Sequence, residues 1–236
     1  MKDLINIIIK GLAAYVPVFI SIVSAPKQTI LTLINDDTEA LNKALIFCGF
    51  TIAIGLALQA PLVSPDQNFL TVAGSLLALK IVALISFSGL VVGIFRLLGG
   101  TGNYQTTLCA CLYIVSPVYL FLLVTQVVNI GILATHDPVL ALKWRTGQGF
   151  DDELFQHFID TSPGLFLGFL LVWLSQVLIS TVWFLICWGT YRTIHNVSWI
   201  RSSVAYVLTT ALWYIYWILT VLITKGLHSG LLSPIG

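Results

Sequence analysis

Five long apolar runs dominate this sequence and limit the folds that are open to it. A transmembrane helix needs about 20 mainly apolar residues, and the runs at 41–60, 69–95, 107–135, 164–191 and 199–224 meet that requirement. The connectors between them carry prolines, glycines and charged residues, which favour turns outside the membrane. We therefore expect an all-α, polytopic membrane protein with a bundle of five transmembrane helices.

The composition supports a membrane protein and excludes several soluble classes. Hydrophobic residues make up 58% of the 236 residues and charged residues only 9%, whereas a soluble domain is about one quarter charged. Too little polar surface remains to cover a soluble enzyme. A formal net charge of +1 also excludes a polybasic nucleic-acid-binding protein, so the expected partner is the lipid bilayer. The cysteines lie in apolar runs, where we expect buried thiols: Cys48, Cys109, Cys111 and Cys187.

The N-terminal region is predicted to lie at the membrane surface. The apolar stretch at 4–23 is interrupted by Asn6 and Lys10, and its helix is expected to break at Pro17. The next stretch, 26–35, is short and amphipathic, as is typical of a helix that lies on a membrane. We therefore predict an interfacial N-terminal helix, with a complete crossing by 4–23 as the alternative.

The chain divides into an N-terminal interfacial segment at 1–40, a five-span membrane domain at 41–225 and a C-terminal tail at 226–236. With five spans, the side of the membrane that holds the N-terminus carries seven Lys and Arg residues and the other side three. The positive-inside rule therefore predicts a cytoplasmic N-terminus. The first group is Lys2, Lys10, Lys27, Lys43, Arg96, Arg192 and Arg201, and the second is Lys143, Arg145 and Lys225.

A glycine-rich segment separates the second and third spans. Gly99, Gly100 and Gly102 precede Tyr104, where the next helix begins, and a tight cytoplasmic turn at this place requires positive φ. No strand precedes the segment and no GK[ST] follows it, so it does not match a phosphate-binding loop. We interpret it as a structural turn, with Arg96 placed to bind lipid phosphates.

Four residues inside the spans form a candidate intramembrane polar site: Lys80, Pro117, Gln126 and Asn129. Lys80 lies near the middle of the second span, where a charge is costly and indicates a functional hypothesis. Pro117 is expected to kink the third span, because it removes one backbone hydrogen bond. Gln126 and Asn129 suit either hydrogen bonds between helices or a polar route through the bundle.

No catalytic motif and no cofactor-binding motif is recognisable, and we expect neither an enzyme nor a cofactor. HExxH and GxSxG are absent from the sequence, and the histidines are scattered. A helix over 151–160 would place Glu153, His157 and Asp160 on one face. That face suits a divalent cation or, more simply, solvent, so we predict no metal site there.

Three segments resemble the Yip domain family, the Ypt/Rab-interacting membrane proteins and their bacterial relatives. The first is GGTGNYQTTL at 99–108, which is followed in the same helix by Tyr113 and the Ser116–Pro117 pair. The second is SAPKQT at 24–29, with an acidic turn after it, and the third is GTYRTIHNVSW at 189–199. The resemblance implies a five-helix membrane bundle with a cytoplasmic N-terminus.

The resemblance also shapes the functional expectation. Eukaryotic members interact with Rab GTPases in vesicle traffic and usually carry a long polar N-terminal region, whereas this sequence looks more like the bacterial branch, so Rab binding is not implied. We expect a non-enzymatic scaffold or partner-recruiting protein of a bacterial cytoplasmic membrane. The alternative is a small transporter or channel that uses the candidate polar site. GxxxG spacings at 89–93 and 164–168 suggest contacts within the bundle, a homo-oligomer or contacts with other membrane proteins.

Overall fold

The computed structural model describes residues 2–35, 39–59, 69–146, 152–212 and 214–215, which are helical apart from short turns and contain no β-strand. The prediction of an all-α fold is confirmed. In chain order the helices are α1 (Lys2–Ser24), α2 (Pro26–Asn35), α3 (Ala40–Gln59), α4 (Phe69–Leu97), α5 (Tyr104–His136), α6 (Pro138–Thr146), α7 (Asp152–Thr161), α8 (Pro163–His195) and α9 (199–212).

Three helices are long and apolar enough to cross a membrane among the described residues, and they indicate a membrane-embedded protein. They are Ala40–Leu58 in α3, Tyr104–His136 in α5 and Pro163–His195 in α8. Helix α4 adds a shorter apolar part, Ile81–Leu97. The predicted run at 199–224 continues beyond the described residues, and the predicted tail at 226–236 lies outside them.

Helix α5 is the central helix of the bundle, and it packs most extensively against α3 and α8. Phe47 of α3 contacts Tyr113 of α5 with ring centroids 5.2 Å apart. Two turns further on, Gly55 lies against the side chains of Tyr119 and Leu123. Both helices therefore run in the same direction, and Gly55 allows their close approach because it has no Cβ.

Helix α8 runs antiparallel to α5 and defines the two ends of the bundle. His195 contacts Thr107 near the start of α5, and Gln176 contacts Thr125 further along it. We call the end that holds residues 98–103 the turn end. The opposite end, where α6 and α7 lie, is the cap end.

The N-terminal helices pack against the bundle. Helix α1 continues through Pro17, so the predicted break at this proline is wrong. Tyr15 of α1 donates a hydrogen bond to Thr51 of α3 (3.0 Å) and stacks on Phe47, at 4.7 Å between centroids. Because Gly11 contacts Phe50 while the end of α1 leads to the turn end, α1 runs antiparallel to α3. These contacts with α3 explain why α1 stays continuous through Pro17. They also place α1 against protein, whereas the sequence predicts a helix at the membrane surface.

Helix α2 also turns its apolar face towards protein. Pro26, Ile30 and Ile34 are buried, and Ile30 and Ile34 belong to the same hydrophobic core as the helices that follow. An α2 helix lying on the membrane surface is therefore not confirmed. The amphipathic pattern correctly predicts a helix with one apolar face, but periodicity alone does not say whether lipid or protein covers that face.

The cap end has a small apolar cluster of its own. Leu133 of α5 and Phe169 of α8 pack with Leu140 and Phe158, which come from α6 and α7. The Phe158 and Phe169 rings meet edge to face at 6.4 Å. The helix predicted over 151–160 is present as α7, and this cluster holds it against the ends of α5 and α8.

Candidate functional site

The segments that carry the family resemblance lie far apart in the sequence and meet at the turn end. The side chain of Lys27, in the first of them, passes within 3.4 Å of the position that a Cβ on Gly189 would occupy. The amide of Thr101 in the central segment donates a hydrogen bond to the carbonyl of His195 (3.0 Å). This convergence makes the turn end the candidate functional site.

The positive φ predicted for the glycine turn is found at Gly99 but not at Gly100 or Gly102, which have a role that the sequence did not reveal. Gly99 has φ +85°, a backbone conformation that favours glycine. The amide of Gly100 donates to the carbonyl of Phe95 at 2.8 Å. A Cβ on Gly102 would lie 2.6 Å from Nδ1 of His195. Gly102 is therefore needed because the loop backbone passes directly over the imidazole.

His195 is fully buried at the centre of the turn end. Its ring stacks on Phe95 of α4, with centroids 4.4 Å apart and 13° between the planes. Its Nε2 lies 3.1 Å from Oγ1 of Thr107. One imidazole thus contacts α4, the glycine turn and α5.

The hydrogen-bond network assigns the tautomer of His195. Thr107 donates its hydroxyl proton to the carbonyl of Asn103 at 2.8 Å, so its Oγ1 is left to accept from His195. Nε2 therefore carries the ring proton, and Nδ1 has no hydrogen-bond partner among the described residues. The arrangement indicates a structural histidine, because the hydrogen bond through Nε2 and the ring stacking hold the imidazole inside the protein.

The first residues of α5 complete the turn. Asn103 has an extended backbone, and its side-chain oxygen accepts from the amide of Thr106 at 2.8 Å, as an N-cap does. Tyr104 extends along α4, lies 4.0 Å from the position that a Cβ on Gly89 would occupy and donates its hydroxyl to the carbonyl of Ile85 at 3.3 Å. A Cβ on Gly93 would meet no atom within 4 Å, so the GxxxG spacing at 89–93 does not mark a close helix pair among the described residues.

Trp188 connects α8 to α9 beside the imidazole. Its indole N–H donates to the carbonyl of Ser202 at 2.8 Å. Its ring contacts Phe95 at 5.5 Å and Tyr206 at 5.0 Å between centroids. At the end of α8, Asn196 adopts φ 50° and ends the helix in a left-handed conformation. Aromatic packing thus fixes the α8–α9 connection against the glycine turn.

The two ends of the bundle carry opposite charge among the described side chains. The Lys and Arg side chains lie at the turn end except for Lys143, and the carboxylates lie at the cap end except for Glu39. The turn end has Lys27, Lys43, Arg96, Arg192 and Arg201, and the cap end has Asp137, Glu153 and Asp160.

The three candidate intramembrane residues with described side chains do not form one buried polar cluster. Pro117 and Asn129 are buried in α5, Gln126 is exposed, and the side chain of Lys80 in α4 lies outside the described residues. The polar contact that forms is instead between Gln176, whose Nε2 donates, and Oγ1 of Thr125 (2.7 Å).

Asn129 lies one turn beyond Thr125 on α5 and is almost fully buried. Its Oδ1 has no hydrogen-bond partner among the described residues. Buried oxygens of this kind commonly bind an ordered water.

Gln176 would have been hard to select from the sequence, because a single amide in an apolar run has no distinguishing pattern.

Pro117 lies inside the continuous helix α5, where it has no N–H to donate to the carbonyl of Tyr113. One residue further on, the indole N–H of Trp183 of α8 donates to the carbonyl of Ile114 at 2.8 Å. This hydrogen bond links α8 to α5 beside the proline.

Trp183→Phe is expected to lower the free energy of unfolding by about 0.6–2 kcal/mol, because it removes this one hydrogen bond and keeps most of the ring. Thermal unfolding in detergent micelles measures the change. Trp173→Phe is the matched control, since Trp173 lies exposed on the same helix. Equal effects of the two changes would contradict a role for the indole N–H.

The weak metal candidates share a face as expected. Glu153, His157 and Asp160 line one open, shallow surface together with Gln156, whose Nε2 donates to Oδ1 of Asp160 at 3.1 Å. No group of three or more His, Cys, Asp or Glu side chains is placed to hold a metal ion in the part of the chain that the structure describes.

The main residue that the sequence reasoning missed is His195. It lies within the quoted segment at 189–199, but a histidine among aromatic and hydroxyl residues gives no signal of burial. Only its contacts with Gly102 and Thr107 identify it.

No family model, curated protein or solved structure matches this chain.

Proposed function

We propose that this chain is a non-enzymatic membrane scaffold of the Yip domain type, with the turn end as its working surface. The observation that supports this most is the convergence of the three resembling segments on one end of the bundle, through Lys27, Gly102 and His195. Packing of this kind gives a partner a preorganised surface, so that little ordering is needed on binding.

The proposal includes a topology. The five spans are α3, α4, α5, α8 and the run at 199–224, and the turn end faces the cytoplasm of a bacterial cell. The positive-inside rule supports this orientation, because nearly all described Lys and Arg side chains lie at the turn end. The five-span count predicts a cytoplasmic N-terminus, whereas helix α1 ends at the turn end and runs antiparallel to α3, which directs its start towards the cap end. A complete crossing by 4–23 would therefore place the N-terminus on the other side of the membrane.

Site-specific photo-cross-linking in intact membranes tests the scaffold. A photoreactive residue at Thr101 or Gln105 reports on the turn end, where both side chains are exposed. The same residue at Val139, which is exposed on α6, is the matched control at the cap end. We expect discrete cross-linked protein species from the turn-end positions and none of the same species from position 139.

A small transporter is the competing function, and the buried oxygen of Asn129 beside the Gln176–Thr125 contact is the observation that favours it. Solute uptake into proteoliposomes distinguishes the two functions. Uptake that is abolished by Asn129→Leu, together with the absence of turn-end cross-links, would overturn the scaffold proposal.

A further inference from the structure

Arginine and exposed apolar side chains alternate on one patch of the turn end. Arg96 and Leu97 end α4, and Trp199, Ile200 and Arg201 form the first turn of α9. The two pieces adjoin, since Nη1 of Arg201 lies 3.0 Å from the place of a Cβ on Gly99. We call these five residues the arginine patch.

The apolar members of the arginine patch are unusually exposed. Leu97 is 87% exposed, Ile200 71% and Trp199 69%, the highest values for large apolar side chains among the described residues. No described carboxylate forms an ion pair with Arg96 or Arg201. Exposed apolar tips beside arginines match a surface that contacts both acyl chains and phosphates.

The helix lengths place the arginine patch at headgroup depth. Helices α5 and α8 have 33 residues each, which is about 50 Å, whereas a bilayer with its headgroups is about 40–45 Å thick. The cap-end turns around Leu133 and Phe169 belong to a separate cluster with α6 and α7. If that cluster lies outside the bilayer, the rest of α5 and α8 spans the membrane. The turn-end termini of these two helices then lie at the depth of the headgroup phosphates.

We propose that the arginine patch binds the headgroup phosphates of anionic phospholipids through Arg96 and Arg201, while Leu97, Trp199 and Ile200 insert between the acyl chains. The start of α9 adds backbone N–H groups and a positive dipole beside the guanidinium of Arg201. The proposal deepens the proposed function, because it rests on the turn end as the working surface and names the lipid that this surface takes.

Native mass spectrometry tests the preference. The full-length chain is released from nanodiscs that hold equal amounts of phosphatidylglycerol and phosphatidylcholine with the same acyl chains, and the retained lipids are counted. We expect phosphatidylglycerol to dominate. The double variant Arg96→Gln/Arg201→Gln should lower the ratio of the two lipids about 25-fold, at about fivefold for each cation.

Two further variants control the experiment. Arg96→Lys/Arg201→Lys keeps the charge and should retain most of the preference, and Lys143→Gln removes a cation at the cap end and should change nothing. For the unmodified chain, potassium chloride added to the nanodiscs should weaken the preference. The single variants Arg96→Gln and Arg201→Gln, each expected to lower the lipid ratio about fivefold, decide the question even if the double glutamine variant fails to fold.

Equal retention of both lipids by the unmodified chain, or an unchanged ratio in the double glutamine variant, would overturn the proposal. A different outcome is that native mass spectrometry shows no lipid preference while the turn-end cross-links disappear in the double glutamine variant. The arginine patch would then bind an acidic protein segment instead of a lipid. The proposed scaffold would then stand without the lipid. The reverse result, a lipid preference with no cross-linked protein, would remove the scaffold and keep the lipid site.

Discussion

Gly102→Ala is expected to lower the free energy of unfolding by about 3 kcal/mol, which is the upper range for overpacking a well-packed site. The new methyl group would lie 2.6 Å from Nδ1 and 2.8 Å from Cε1 of His195. The ring cannot move away cheaply, since it stacks on Phe95 and bonds to Thr107. Thermal unfolding in detergent micelles, followed by tryptophan fluorescence, measures the loss.

Gly93→Ala is the matched control for this substitution. A Cβ on Gly93 meets no atom within 4 Å, and the residue lies exposed in helix α4. Alanine there should be neutral or should stabilise the protein by up to about 1 kcal/mol, because it favours a helix over glycine. If both alanine variants unfold at the same temperature, the contact between the glycine turn and the imidazole contributes nothing to stability.

Gly55→Leu is expected to cause a loss of similar size, about 3 kcal/mol, through a different contact. The first carbon of the new side chain would lie 2.7 Å from both the Tyr119 ring and the Leu123 methyl group. Helices α3 and α5 would have to separate along their closest approach. The same unfolding measurement detects this loss, and reduced yield from the membrane would accompany it.

Gly49→Leu tests whether size alone explains the effect. Gly49 lies on the same helix, is exposed and has no atom within 4 Å of a Cβ position. A leucine there should change stability by no more than about 0.5 kcal/mol. Equal losses at Gly49 and Gly55 would show that the loss does not depend on the contact with α5, and the argument from close helix packing would fail.

The main helices could be predicted from the sequence because length and hydropathy alone define them. The run at 41–60 appears as Ala40–Gln59, and the run at 107–135 as Tyr104–His136. Helix α1 could not be predicted in the same way. Asn6, Lys10 and Pro17 suggest an interrupted helix, whereas the contact of Tyr15 with Thr51, 36 residues away, supports a continuous one.

The candidate site could be predicted only in part. Positive φ at Gly99 followed from a glycine in a short connector between helices. The need for Gly102 did not, because it depends on an imidazole that approaches from a distant part of the chain. Gln126 and Asn129 show the same limit, since they lie three residues apart on one helix and yet one is exposed and the other buried.

The contact of Thr107 with His195 joins residues that are 88 positions apart in the chain. A ribosome that adds about 5–20 residues per second needs between about 4 and 18 s to make the intervening segment. During that interval the newborn glycine turn and the first turn of α5 have no histidine to pack against. Insertion of the early helices therefore precedes closure of this end, and assembly of the protein finishes only when the last connector has left the translocation machinery.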